Sequence, residues 1–498
     1  MRQALFVVSA LALAGLTGCA SAPISKTATV DLAKADALVA EGCYDCLSEA
    51  RDIYAKLAVA KARPIVLPRL FETTVLLGLR EKELALDPAQ RFDAAKAMAS
   101  ELPPSYSAGG YLEIANAILP DAGGTPRSEL SARRVMADKL TTWRASLAAG
   151  EGSAPFREYL TAAIDCTIGP GTAIAASTQL VTYRRGNCQL MNRPVLTTLI
   201  QQSPRFLEAG VIIGRVRTLQ PTGKEIADSL NWLNAGVAKW PNSTTITYAL
   251  GALHQARSDC KSALPFYDRT LALKPRHEGA HLGRLICLSY TGQNAAAIAE
   301  ATGMIAEKNE EGEARYWRAW NERETGQLEA ARADSDRMKQ ILYNDRAVTL
   351  AGQIEHDQTD LALADKDLTD GILLNENNCI AAWYWALVQL KREDWVKTAD
   401  GFVRAMRCYE SAVLYDKSKL LEMQKAENVD EVFRAAQVAG FEATIKEDTS
   451  QVSASAYNAA VNYARANNRE KALEFCDLAA KDPDRAKQAA ELRALIVK

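Results

Sequence analysis

A pattern of small and large apolar residues returns along residues 244–412 at an almost constant interval. The implied units begin at Thr244, Glu278, Gly312, Asp345 and Cys379, so the steps are 34, 34, 33 and 34 residues. A period in this range is typical of stacked supersecondary units, each of which buries its apolar face against its neighbours. The interval therefore predicts an all-α solenoid and argues against one compact core for all 498 residues.

Each unit has the pattern of two antiparallel helices joined by a short turn. In the first unit, Leu250 and Gly251 are followed by Ala263, Tyr267 and Pro275. This spacing resembles the tetratricopeptide repeat (TPR), and the resemblance implies helical hairpins whose first helices line a concave groove for a protein or peptide partner. The turns are expected near Ser258, Gly292, Gly326, Thr359 and Glu393.

The resemblance also indicates which side chains face the groove. In TPR proteins these are usually the fifth, ninth, twelfth and thirteenth residues of each unit. The set is aromatic with mixed charge, and it lacks the lysine and asparagine pattern that clamps a chaperone's C-terminal carboxylate. A competing interpretation is that some of these aromatic residues only pack between repeats. The candidate groove residues are Tyr248, Leu282, Tyr290, Tyr316, Trp320, Arg323, Gln353, Trp383, Leu387 and Lys391.

The rest of the chain follows the period less closely. Glycine and proline pairs break residues 31–203 into irregular or degenerate helical repeats. Residues 204–243 are expected to form a divergent repeat, and 413–452 two helices outside the repeat, over 414–425 and 430–440. Residues 453–498 are expected to form a terminal TPR-like repeat with a capping helix.

The N-terminus has the character of a targeting signal. Arg2 is followed by an apolar stretch from Ala4 to Leu16, of the length expected for a signal peptide. Leu16-Thr17-Gly18-Cys19 resembles the bacterial lipobox. That resemblance implies removal of residues 1–18, acylation of Cys19 and a tether over 19–30. Cleavage after Ala22 is the alternative, and Pro23 opposes it. Three acyl chains would anchor the chain firmly. Ala20 in place of an aspartate favours the periplasmic face of the outer membrane.

Nine cysteines remain after Cys19, and an oxidising periplasm favours pairing. Cys379 and Cys408 lie at adjoining ends of one hairpin, and Cys260 is expected to pack beside Cys287 of the next unit. Cys166 and Cys188 pair by elimination. The Cys43-x-x-Cys46 motif is either a redox site or, more simply, a structural staple at a helix start. Cys476 is expected to be a buried free thiol.

One motif suggests catalysis. His277-Glu278-Gly279-Ala280-His281 has the HExxH pattern of zinc peptidases. It follows Pro275 in the first turn of a repeat helix, and the only later histidine, His356, lies two repeats away, so a third ligand is not indicated.

These patterns predict a non-catalytic scaffold that needs no cofactor and binds a protein or peptide partner in the cell envelope. A zinc metallopeptidase and a glycan- or peptidoglycan-binding solenoid are the alternatives. The formal net charge is −2, and no long basic run occurs, so a nucleic-acid partner is not indicated.

Overall fold

The computed structural model describes residues 25–59, 62–118, 139, 142–168, 178–188, 193–217, 223–427, 429 and 431–497. Its described residues form 24 α-helices and no strand, so the all-α prediction is confirmed. None of these helices combines the length and the apolar character that crossing a bilayer would require.

In the part of the chain that the structure describes, eleven helices precede the periodic array. One further turn, Pro104–Tyr106, is a 3-10 helix. The eleven are α1 Lys26–Glu41, α2 Tyr44–Leu57, α3 Arg63–Glu83, α4 Ala89–Ala99, α5 Ala108–Ala117, α6 142–149, α7 Ala154–Ile168, α8 Gln179–Cys188, α9 Arg193–Gln202, α10 Leu207–Arg217 and α11 Gly223–Lys239.

A charged cluster lies inside this N-terminal part. Arg80 of α3 is fully buried, and its guanidinium lies 2.8 Å from a carboxylate oxygen of Glu83. The other oxygen of Glu83 accepts from Arg184 of α8 at 2.8 Å and from the Tyr159 hydroxyl of α7 at 3.0 Å. Arg80 also stacks on the Tyr183 ring, 3.5 Å from its centroid. Helices α3, α7 and α8 are therefore joined through buried charges.

The array contains ten helices in five pairs. They are α12 Thr244–Ala256, α13 Cys260–Leu273, α14 Glu278–Tyr290, α15 Asn294–Ala306, α16 Glu311–Glu324, α17 Leu328–Ile341, α18 Asp345–Asp357, α19 Leu361–Leu374, α20 Cys379–Lys391 and α21 Trp395–Lys425. Each even-numbered helix is the first of its pair. Adjacent first helices also contact each other, as a solenoid requires.

Local chemistry explains where these helices begin and end. Three of the first helices begin with a capping side chain, from Ser243, Asn344 or Asn378. Each accepts a hydrogen bond from a backbone N–H group that has no partner within the helix. Every expected turn residue has positive φ: Ser258 60°, Gly292 71°, Gly326 77°, Thr359 64° and Glu393 60°.

Small residues set the distance between paired helices. A Cβ atom added to Gly251 would lie 2.8 Å from a Tyr267 ring carbon, and one added to Gly352 would lie 2.5 Å from Leu368 Cγ. Both glycines therefore permit a close approach of the second helix. The repeated small–large pattern in the sequence reflects this contact.

The structure departs from the expected boundaries after the fifth unit. Helix α21 continues unbroken to Lys425, and α22 runs from Glu431 to Arg465. The helices expected over 414–425 and 430–440 are therefore extensions of repeat helices. No proline or glycine lies between Met406 and Lys425 to end α21. The chain closes with α23 Arg469–Ala479 and α24 Pro483–Val497.

Candidate functional site

An aromatic cluster forms on the first helices of the second to fourth repeats. Tyr290, at the end of α14, is 73 % exposed, and its ring packs edge-on against Trp317 of α16 at a centroid distance of 5.5 Å. Tyr316 packs against the same indole at 5.4 Å. Arg346 of α18 places its guanidinium 3.6 Å from the centroid of the Tyr316 ring. One exposed ring therefore lies against a buried tryptophan, next to a buried tyrosine that an exposed arginine covers, which is the composition of an interaction hot spot.

The indole nitrogen of Trp317 strengthens this interpretation. Nε1 is buried and has no hydrogen-bond partner among the described residues. Buried donors are normally paired, so this one is an exception that calls for an acceptor. Tyr290 is an exposed ring in contact with this indole, so a partner that binds against Tyr290 lies close to an unused donor.

Polar groups connect the next repeats along the same face. Arg323 of α16 donates to the Asp357 carboxylate at 2.8 Å and to the Tyr384 hydroxyl at 2.9 Å. Lys391 of α20 donates to the His356 carbonyl oxygen at 2.8 Å. Arg323 and Lys391 were both predicted to be groove residues, and both join neighbouring repeats in the structure. Their charges are partly used inside the solenoid.

The remaining predicted groove residues are mostly held by packing. The Tyr248 ring packs at a tilt against the His277 ring, with centroids 4.6 Å apart, and Trp383 packs edge-on against Phe402 at 5.0 Å. Gln353 is only 7 % exposed. Leu282, Trp320 and Leu387 are half-buried against clusters that extend across neighbouring repeats. Of the ten predicted residues, Tyr290 presents the most open ring.

Three residues of this face were missed by the sequence pattern. The TPR resemblance places only the fifth, ninth, twelfth and thirteenth residues of a unit in the groove, whereas these three are the sixth residue (Trp317), the second (Arg346) and the sixth (Tyr384) of their units. They belong to this face because they contact residues of neighbouring repeats. The sequence signal that was available is the pair of adjacent aromatic residues, Tyr316 and Trp317, near the start of the third unit.

The HExxH motif does not have the geometry of a zinc site. His277 precedes α14 and caps it, with Nδ1 accepting the Ala280 N–H at 3.1 Å. His281 lies between two acceptors, Glu300 Oε1 at 2.5 Å from Nδ1 and the Pro275 carbonyl oxygen at 2.7 Å from Nε2. The hydrogen bond to Glu300 raises the pKa of His281. Because both ring nitrogens face oxygen acceptors, neither is directed at an open metal position.

His277 gives a testable pH dependence. Burial lowers its pKa from 6.5 to about 4, so its contribution to stability is complete above pH 6.5 and is lost as the pH falls towards 4. His277→Asn keeps a good capping side chain and removes the titration. Between pH 6.5 and 4, we expect the free energy of unfolding of the wild type to fall by up to about 3 kcal/mol more than that of this variant, as measured by urea denaturation. Parallel pH profiles for the two proteins would contradict this assignment.

Among the cysteines whose side chains the structure describes, three pairs lie at bonding distance. They are Cys43–Cys46, Cys260–Cys287 and Cys379–Cys408. Cys43 caps α2, and both sulfurs of this pair are buried, which favours the staple over a redox site. Cys476 is buried and unpaired. The side chains of Cys166 and Cys188, and the whole of Cys19, lie outside the described residues.

Peptide mapping without reductant tests the pairing. We expect Cys379 joined to Cys408, Cys260 joined to Cys287, and Cys476 recovered as a free thiol after the protein is unfolded. Recovery of Cys379 as a thiol from oxidised protein would show that the fifth hairpin is not closed covalently.

The hairpins, their turns and the contacts between first helices define this protein as an α-solenoid of TPR-like repeats. No protein-family model and no curated protein matches the chain. Among solved structures, it is similar to YrrB, a TPR protein with an unusual peptide-binding site, at 15 % identity and a TM-score of 0.31, over 35 % of this chain and 91 % of that one.

Two further solved structures show the same kind of similarity. The APC/C hetero-tetramer Cut9–Hcn1 aligns at 12 % identity and a TM-score of 0.36, over 84 % of this chain and 92 % of that one. The C-terminal part of a TPR repeat-containing protein from Cytophaga hutchinsonii aligns at 13 % identity and a TM-score of 0.35, over 53 % and 97 %. With scores this low, the fold assignment depends on the repeat geometry described above.

Proposed function

We propose that this protein is a non-catalytic scaffold that binds a peptide segment of a partner protein on the first helices of its five-repeat array. The observation that carries the proposal is the exposed Tyr290 ring lying over the buried Trp317. A large aromatic side chain with a rigid backing supplies contact area at low entropic cost, and such residues dominate binding energies at interfaces.

Mixed charge along the face supports a peptide partner. Glu324, Asp357 and Lys391 follow one another across the third to fifth repeats, so the face does not present a single sign of charge. Peptides combine backbone donors and acceptors with side chains of both signs, which suits such a surface. Both ring nitrogens of His281 face oxygen acceptors, which opposes the zinc-peptidase alternative at this motif.

Selection from a displayed library of random linear peptides tests this proposal. We expect the wild type to enrich peptides that a Tyr290→Ala variant does not retain. A parallel capture of fragmented peptidoglycan examines the glycan alternative. If the wild type captures glycan fragments and no peptide, and Tyr290→Ala abolishes that capture, the ligand is a glycan and the peptide proposal is wrong.

We also propose that Cys19 carries a lipid and holds the scaffold at the periplasmic face of the outer membrane. The support is the Leu16-Thr17-Gly18-Cys19 sequence after an apolar stretch. Two or more acyl chains are needed for stable membrane anchoring, and a lipoprotein carries three.

Phase partitioning measures the anchor. Protein expressed with its own leader is expected to enter the detergent phase, whereas Cys19→Ser is expected to remain aqueous or unprocessed. Ala20→Ser, one position away, is the matched control and should partition like the wild type. A Cys19→Ser variant that still enters the detergent phase would place the anchor elsewhere.

A further inference from the structure

Two long helices extend beyond the repeat array and return to its beginning. We call residues 409–425 of α21 and 431–450 of α22 the strap. Each arm rises about 1.5 Å per residue, so the first arm is roughly 25 Å long. At its base, the strap continues directly from the fifth repeat and from the terminal repeat.

The tip of the strap packs into the core of a distant part of the chain. Phe433 is 9 % exposed and lies in one buried cluster with Leu233 and Trp240, and Met423 and Val429 pack against the same cluster. Helix α22 contacts α11, the helix directly before the first repeat. Arg434 Nη2 donates to the Ala426 carbonyl oxygen at 2.7 Å, which joins the start of the second arm to the end of the first.

The middle of the strap is exposed. Leu414, Tyr415 and Leu421 have exposed fractions of 69, 62 and 52 %. From 414 to 431, no described residue is buried. The strap is therefore held at its two ends, and its middle carries apolar side chains that the described part of the protein leaves open to solvent.

The lengths indicate which face the strap crosses. Neighbouring first helices contact each other, and at a typical spacing of about 8–10 Å the four steps from α12 to α20 cover roughly 32–40 Å. A strap of roughly 25 Å that joins the two ends of this longer path requires the path to be curved. A straight rod joining the ends of a curve lies on its concave side, which in a solenoid is the binding surface.

We propose that the strap is a latch over the concave face, and that the space beneath it takes an extended peptide segment. This inference rests on the proposed function. The repeats α12–α20, the strap and α11 form a closed ring of contacts, so a flexible segment can enter beneath the latched strap whereas a folded domain requires the tip to leave α11. Leu414, Tyr415 and Leu421 supply apolar contacts to a segment held there.

Hydrogen exchange of the free protein tests the latch without any ligand. Phe433→Asp places a charge in the tip cluster and is expected to speed exchange in 423–440 and in α11, with α14–α19 unchanged. Ser418→Asp is the matched control, because it adds the same charge at an exposed position of the first arm, and it should leave α11 unchanged. Met423→Ala provides a milder variant if Phe433→Asp does not fold. Equal exchange of α11 in the wild type and in both tip variants would overturn the latch.

Association kinetics test the gating. For a peptide selected from the linear library, Phe433→Asp or Met423→Ala is expected to raise the association rate constant several-fold, and Ser418→Asp is expected to leave it near the wild-type value. Identical rates for the tip variants and the wild type would overturn gating while peptide binding stands. A selection that yields no peptide would overturn the proposed function and the proposed ligand, and the exchange experiment would still decide the latch.

Discussion

Replacing Arg80 by alanine is expected to destabilise the protein by about 3–5 kcal/mol, the usual cost of breaking a buried ion pair from one side. The reason is that Glu83 and Glu208 would remain buried near the vacated site, at 6 % and 1 % exposure. Burial already raises the pKa of Glu208 to about 7. Loss of the neighbouring guanidinium would make its charged form still less favourable. Urea denaturation at neutral pH measures the effect.

Another ion pair on α3 provides the control. Arg63 forms a salt bridge with Glu101, and their side chains are 41 % and 47 % exposed. Exposed pairs of this kind typically contribute about 0–1 kcal/mol, so Arg63→Ala should be nearly neutral. An equal decrease in the free energy of unfolding in Arg80→Ala and Arg63→Ala would show that the buried cluster stabilises the fold no more than an exposed ion pair does.

Tyr290→Ala is expected to weaken binding of the selected peptide by roughly thirty-fold, since truncating an aromatic hot spot costs about 2 kcal/mol and each 1.4 kcal/mol is about tenfold. The folded state should be little affected, because this side chain is 73 % exposed. Fluorescence titration gives the affinity, and a thermal scan of the same samples gives the midpoint.

Tyr343→Ala is the matched control for that experiment. Tyr343 is also an exposed tyrosine, at 55 %, but it follows the second helix of its repeat and its hydroxyl donates to Asp370. Its removal should leave affinity near the wild-type value. Equal weakening in both variants would mean that binding does not depend on the face formed by the first helices.

The repeat period was readable in the sequence because helix contacts demand specific residue sizes. Gly251 and Gly352 permit the close approach of Tyr267 and Leu368, and such small–large pairs recur with each hairpin. The turns were readable as well. Ser258 and Glu393 adopt positive φ although they are not glycines, because the repeat geometry places them there.

The detail of the site depends on contacts between repeats. The sequence pattern gives the place of each residue within its own repeat, but it does not show which residues of neighbouring repeats touch. Trp317 lies beside Tyr290 because of the offset between α14 and α16, and Arg346 reaches Tyr316 from the following repeat. The strap was missed for a related reason. Nothing ends α21 before Lys425, but its docking on α11 joins residues about two hundred positions apart, and no local pattern encodes that contact.

Hydrogen exchange of the complex with the selected peptide is the most direct test of the central claim. The binding face is predicted to be the first helices, so protection should appear in α14, α16 and α18, with α15 and α17 unchanged. Protection confined to the second helices, or to the N-terminal helices before α12, would contradict the assignment of the five-repeat groove as the binding surface.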